Sequence, residues 1–322
     1  MLSRPPGTDP SGIVLRFPVA PEQAGQRLDR FIQGRIPRLS RTRAKAIVQS
    51  CAYRWDGRRR RGSERVRAGE IVVLVRPSMD EPEAPDHFDV LYEDDVVLVV
   101  DKPPGLAVHP TATYHKHTLW WLLRERYGEP TPQLAHRLDR DTSGALVCGR
   151  TPEAERSLKR AFEDRRVDKR YTAIVRGEMP EDAGVMDASM APAREGLHVL
   201  MEVRADGLDA LTEYRVLERA HGRTLVSLHP RTGRQHQLRV HLAALGYPIV
   251  GDKLYGPEGS APFEEYIAAG MEISRDLLER LGHRRQALHA AWIRFPHPET
   301  GAPVEVESPL PADMRLLWAR SD

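Results

Sequence analysis

His-Arg-Leu-Asp-Arg-Asp-Thr-Ser-Gly, residues 136–144, is the stretch on which the reading of this chain turns. It sets one carboxylate, Asp139, between an arginine and a small polar turn. Leu134 and Leu138 are apolar, residues 145–148 read as a short buried strand, and Asp139, Asp141, Thr142, Ser143 and Gly144 supply turn chemistry between them. Asp139 is therefore expected on a strand-edge loop, where active-site carboxylates are found, rather than on a solvated helix face.

Outward from this loop, residues 96–100 form a continuous apolar run of buried-strand type, stopped by the prolines of Asp101-Lys-Pro-Pro-Gly. Residues 120–127 read as a helix capped by Thr118, and residues 152–164 as another with Thr151 as cap and Pro152 in its first turn. Strands are predicted over 171–175, 211–217, 224–228, 288–293 and 304–306. Strands and helices mix without regular βαβ alternation, which predicts an α+β sheet with flanking helices.

The 322 residues are enough for one large core and a small accessory domain. Cys51 and Cys148 belong to no Cys-x-x-Cys pair, so neither a disulfide framework nor a thiolate zinc site is expected, and a reducing cytoplasm fits. The first ten residues lack an apolar signal core, and no run reaches the length of a membrane span. The formal net charge of +2 hides a strong asymmetry. Residues 27–76 carry fifteen Lys or Arg against four Asp or Glu, a net of +11, while residues 77–322 carry −9. A compact basic module on a mildly acidic body is the electrostatic footprint of a domain that neutralises phosphates.

Within that module Leu28, Phe31, Ile32 and Ile36 recur at helical spacing up to Pro37. Ser40 caps a second helix that buries Ala44, Ile47 and Val48 and turns Arg41, Arg43 and Lys45 outward. Residues 53–56, the Asp56-Gly57 turn and residues 70–75 complete a small unit. Arg58 to Arg61 read either as part of an RNA grip, with Arg58 and Arg59 as contacts, or as a solvated charge run.

The loop at 136–144 resembles the signature of the RluA/RluD-type RNA pseudouridine synthase family, His-Arg-Leu-Asp-x-x-Thr-Ser-Gly, at every fixed position. Asp101-Lys-Pro-Pro-Gly-Leu-Ala-Val-His-Pro, Lys169-Arg-Tyr-Thr-Ala-Ile-Val and Thr232-Gly-Arg-Gln-His-Gln-Leu-Arg-Val-His agree in order and approximate spacing. The basic module is similar to the S4 RNA-binding domain, with Cys51 and Ala52 where that family has a glycine. The resemblance implies a pseudouridine synthase fold with a mixed, mostly antiparallel sheet, and isomerisation of uridines in structured RNA, large-subunit ribosomal RNA ahead of tRNA. It further implies Asp139 as catalytic carboxylate, Arg239 as the ion-pair partner that keeps it ionised, and Tyr171 against the uracil, with a further part in removing the C5 proton. Arg137 would fill the space vacated when the base leaves the stack. The expected organisation is a disordered N-terminus at 1–11, an S4-like domain at 12–77, a linker at 78–87 and a catalytic domain at 88–322.

Singly, these residues also have structural readings: a loop ion pair, a strand aromatic, a solvated helix arginine. Lys102 and Lys169 are read as phosphate contacts or as stems covering an apolar edge, not as catalysts. His109, His115, His117, His236 and His241 lack metal-site spacing, so no metal is expected, and the absence of nucleotide-binding glycine motifs fits an enzyme without a cofactor. His136 and His236 look like loop-fixing hydrogen-bonders. Residues 257–285 are helix-like, either a lid or RNA contact or a surface insertion. A non-catalytic RNA-binding or ribosome-assembly factor of the same fold is the alternative, a metal-dependent hydrolase a third; a cytoplasmic monomer is expected.

Overall fold

The computed structural model describes residues 4–10, 12–36, 39–77, 81–111 and 113–320. The chain divides into two compact units, Met1–Asp80 and Glu81–Asp322. Pro37, and residues 1–3, 11 and 78–80 of the expected tail and linker, lie outside the described residues.

The first unit contains β1 (Ile13–Pro18), α1 (Leu28–Arg35), α2 (Arg41–Cys51), β2 (Ala52–Tyr53) and β3 (Ile71–Arg76), with the sheet in the order β1-β3-β2. Leu28, Phe31, Ile32 and Val48 pack against Val72 and Leu74 to make its core. The Ser40 hydroxyl accepts the Arg43 N–H, a cap that supports α2 by about 1 kcal/mol. Strand β1 is absent from the sequence reading, and its Pro18 is tolerated because β1 is an edge strand.

Residues 4–10, expected to be disordered, are folded against this unit. Thr8 is buried and its hydroxyl donates to the Pro5 carbonyl at 2.7 Å. Pro6 sits on the tight turn at Gly57, where a Cβ would stand 2.3 Å from the Pro6 carbonyl oxygen. Contact with the turn supplies the order that composition does not disclose.

In the second unit the elements are β4 (Asp89–Glu93), β5 (Val97–Lys102), α3 (Leu119–Tyr127), β6 (Gln133–Leu134), β7 (Ser143–Gly149), α4 (Pro152–Glu163), β8 (Asp168–Arg176), β9 (Ala183–Asp187), β10 (Met190–Pro192), β11 (Met201–Val203), β12 (Leu211–Ala220), β13 (Arg223–Pro230), α5 (Gln237–Ala244), α6 (Ala261–Ala268), α7 (Arg275–Leu281), β14 (Leu288–Pro296), β15 (Pro303–Glu307) and α8 (Ala312–Ala319). The large sheet runs β4-β5-β7-β14-β8-β13-β12-β9, with β15 on β14 and β6 on β7; β10 and β11 form a separate hairpin. Strand β14 lies parallel to β7, and the other pairings are antiparallel. This is the expected α+β architecture with a mixed, mostly antiparallel sheet.

Central strand β7 is buried at every residue because it is paired on both edges and covered by α4 through Ala154, Leu158 and Ala161. The Thr118 and Thr151 caps form as expected, accepting the N–H groups of Trp121 and Ala154.

One boundary differs from expectation. Residues 81–87 belong to the second unit rather than to a linker, since the Glu81 carboxylate accepts the N–H groups of His115 at 2.7 Å, Lys116 at 2.9 Å and His117 at 2.9 Å. An acid that satisfies three backbone donors pins its segment to the body. The stretch 257–285 forms two short helices, α6 and α7, whose Tyr266, Leu277 and Leu281 enclose a small core with Phe263 and Met271.

Candidate active site

Asp139 lies in the loop between β6 and β7. Its carbonyl accepts the Thr142 N–H at 3.1 Å, which closes the turn. The chain enters β7 through Gly144 at φ +113°, where a Cβ would stand 2.3 Å from the Ala290 carbonyl oxygen. Ala290 is the β14 residue opposite Gly144, so glycine is what allows the parallel strand to close on the loop. Ser143 and Gly144, read as turn residues, are thus the first of the strand. His136 fixes the other side: its Nε2 accepts the Val147 N–H at 3.0 Å, and burial pushes its pKa down to about 3, so the ring stays neutral.

Helix α5 delivers Arg239 to the carboxylate. The Arg239 Nη1 donates to Asp139 Oδ2 at 2.9 Å, while Nε and Nη2 donate to the two oxygens of Asp252, each at 2.7 Å. Arg239 is 5% exposed and the Asp252 side chain fully buried, so the solvated-helix reading of Arg239 does not hold. Asp252 also accepts the N–H groups of Leu254 and Tyr255. Burial would raise the Asp252 pKa; the Arg239 guanidinium and these hydrogen bonds outweigh it and hold the carboxyl below the usual range.

Tyr171 projects from β8 into the same cavity, where burial, reinforced by Asp139, pushes its phenol above the ordinary tyrosine range. A phenol held protonated suits a ring that positions a base better than one that removes a proton. The cavity encloses about 580 Å³ and is lined by Arg137, Asp139, Lys169, Tyr171, His236 and Arg239 among others. Arg137 is exposed on its wall. Four sequence-predicted residues, Arg137, Asp139, Tyr171 and Arg239, therefore converge.

His236 occupies the cap position of α5 at φ +57°, with Nδ1 2.7 Å from the Tyr255 hydroxyl and Nε2 3.8 Å from Asp139 Oδ1. It is not on a helix face with His241, which is buried and bonded to the Thr212 hydroxyl and the Ala188 carbonyl.

Lys102 does neither of the things read from the sequence. It is fully buried, and its ammonium donates to the carbonyls of Pro103 at 2.7 Å, Leu106 at 2.9 Å and Arg140 at 2.9 Å, tying the 103–106 loop to the Asp139 loop. Arg140 in turn donates to the hydroxyls of Tyr114 at 2.8 Å and Tyr266 at 3.0 Å, and Lys253 to Asp141 at 3.3 Å. Helix α6 thus braces the residue next to Asp139.

In the first unit Arg41, Arg43, Lys45 and Arg58 are exposed. Arg59 is engaged: it donates to the carbonyls of Gln49 and Ser50 at the end of α2 and lies over the Tyr53 ring. Arg60 is buried between Glu64 and Glu70, so the 58–61 run is only partly a solvated charge run.

Asp252, Tyr255, Arg140 and Tyr266 were missed from the sequence. The one available signal was Asp252 itself, an acid directly after the apolar Ile249-Val250-Gly251, which must find a buried cation.

A family model described as RNA pseudouridylate synthase matches residues 96–244, which include the Asp139 loop, Tyr171 and Arg239. The chain is 38% identical to the ribosomal large subunit pseudouridine synthase D of Xanthomonas campestris, over 97% of this chain and 94% of that protein. It is 39% identical to an uncharacterized RNA pseudouridine synthase of Chloroflexus aurantiacus, over 93% of this chain and 91% of that one. Among solved structures, human RNA pseudouridylate synthase domain containing 1 superposes with a TM-score of 0.57 at 29% identity, covering 75% of this chain and 99% of that chain. On these similarities, and with the motif residues gathered in one cavity, the chain belongs to the RluA/RluD-type family of RNA pseudouridine synthases, which are isomerases.

Proposed function

We propose that this enzyme isomerises uridines of large-subunit ribosomal RNA, with Asp139 as the carboxylate that engages the target nucleotide. The observation that carries the assignment is the 2.9 Å contact between Asp139 Oδ2 and Arg239, whose guanidinium is itself clamped by Asp252. One oxygen of the carboxylate is oriented by that cation, and the other is left to react. Tyr171 holds the uracil ring, and Arg137 occupies the place the base leaves. The ribosomal target is supported by relatives named ribosomal large subunit pseudouridine synthase D.

The first unit is the RNA grip, an S4-like module whose Arg41, Arg43, Lys45 and Arg58 meet phosphates. The enzyme works as a cytoplasmic monomer. Asp139→Asn should abolish pseudouridine formation, with RNA affinity within about threefold of wild type, since the carboxylate is one group within an interface dominated by phosphate contacts. Pseudouridine mapping and filter binding on the same preparation check it; near-wild-type turnover would remove Asp139 from the chemistry.

A further inference from the structure

Around Asp139 most polar groups are already engaged. All three Arg239 nitrogens face carboxylates. The Gln237 amide oxygen accepts from the Thr232 hydroxyl and the Arg234 N–H, and its nitrogen donates to the Leu211 carbonyl and the Thr212 hydroxyl. Asp139 Oδ1, the oxygen Arg239 leaves alone, is turned toward His236 Nε2 at 3.8 Å.

Which nitrogen of His236 carries the proton follows from its other neighbour. The Tyr255 hydroxyl oxygen accepts the Met201 N–H at 3.0 Å and lies 2.7 Å from His236 Nδ1. The phenol oxygen could accept twice, but its own proton then needs an acceptor, and Nδ1 at 2.7 Å is the one beside it, which assigns the Tyr255 proton to Nδ1. Nδ1 is then the acceptor, and the ring proton sits on Nε2. Burial pushes the His236 pKa down to about 4, which keeps the ring neutral at physiological pH. A neutral N–H therefore faces the reacting oxygen from too far away to be satisfied by it, and opens on the cavity. The left-handed backbone at φ +57°, uncommon for histidine, is what aims it there.

We propose that His236 is a further catalytic residue, donating from Nε2–H to a uracil carbonyl oxygen as the base gains negative charge. This rests on Asp139 being the reacting carboxylate. Whichever atom the carboxylate engages first, the C1′–N1 bond breaks with its electron pair moving onto the uracil, where it spreads to the carbonyl oxygens. The C1′–C5 bond then forms, C5 loses its proton and N1 ends with one, so the isomerisation balances without another reactant. A neutral donor suits this role, because an imidazolium would pair with Asp139 and compete for the oxygen that has to react.

The test is single-turnover conversion of total RNA from cells lacking the protein, by wild type, His236→Ala, His236→Gln, Tyr255→Phe and Asp139→Asn. His236→Ala should slow the chemical step by about 100-fold or more, the size of losing one preorganised donor, while RNA affinity stays within about threefold. His236→Gln, whose amide N–H reaches the same space, should recover about tenfold of that loss, with Tyr255→Phe in between. Nitrogen-15 NMR of the wild-type imidazole should place the proton on Nε2. A proton on Nδ1, or a glutamine variant no faster than the alanine one, overturns the donor role. Wild-type speed for His236→Ala beside an inert Asp139→Asn sinks this inference alone, whereas an active Asp139→Asn sinks the reading on which it rests.

Discussion

At the scale of single residues, the decisive group is one that does not face the cavity chemistry directly. Asp252 takes two of the three Arg239 nitrogens and so fixes where the third points. Replacing it with asparagine leaves a buried guanidinium with one carboxylate instead of two. Breaking a buried pair in this way costs about 3–5 kcal/mol of stability. Asp252→Asn should therefore lower the denaturation midpoint and reduce kcat with little change in KM, because it disturbs orientation rather than binding. Urea denaturation and steady-state kinetics on one preparation check both; an unchanged kcat would mean that Asp139 alone orients Arg239. Asp139, Tyr171, Arg137 and Arg239 were legible because they sit inside motifs. Asp252 was not, since nothing in a one-dimensional spacing says that it meets a helix thirteen residues earlier.

Among elements, strand β7 organises the site: Gly144 admits β14 on one edge, and His136 receives the Val147 N–H on the approach from β6. That bond needs an unprotonated Nε2. The ring titrates near its ordinary value when unfolded and at about 3 when folded, because burial disfavours its charge. Between roughly pH 6.5 and 3 the unfolded chain binds the proton more readily, so this contribution is full above about 6.5 and is lost as pH falls through that window. His236, lowered to about 4, acts in the same direction. Urea midpoints should fall steadily from pH 6.5 to 4.5, above the carboxylate range, and His136→Gln, which keeps an acceptor without titrating, should show a shallower fall. Equal slopes would show that His136 does not carry it. Of the helices with side-chain caps, α2, α3 and α4 were readable because the capping residue and the apolar stripe are local. Strands β1, β4 and β9 to β11 were not: their alternation is weak, β1 and β9 are completed by partners far along the chain, and β4, β10 and β11 are short strands of local pairs. Likewise the helices α6 and α7 were visible as apolar spacing, but not the grip of Tyr266 on Arg140.

For the molecule as a whole, charge is divided as unevenly as the architecture, with the +11 segment confined to the first unit. Removing residues 1–80 should weaken RNA binding and flatten its dependence on salt, the log–log slope shrinking by about 0.7 to 0.9 for each phosphate no longer neutralised. Binding isotherms across a salt series measure this, and an unchanged slope would place the RNA grip elsewhere. The sequence by itself determined the class of sheet, the family motif at 136–144 and the reaction class, because motifs and hydrophobic periods are local records of chemistry and burial. Tertiary structure alone decided which groups hold those residues in place: Asp252 behind Arg239, Tyr255 behind His236, and Lys102 under the Asp139 loop. Buried polar groups must be satisfied by whatever the fold brings within about 3 Å, and that proximity is set by packing between distant segments.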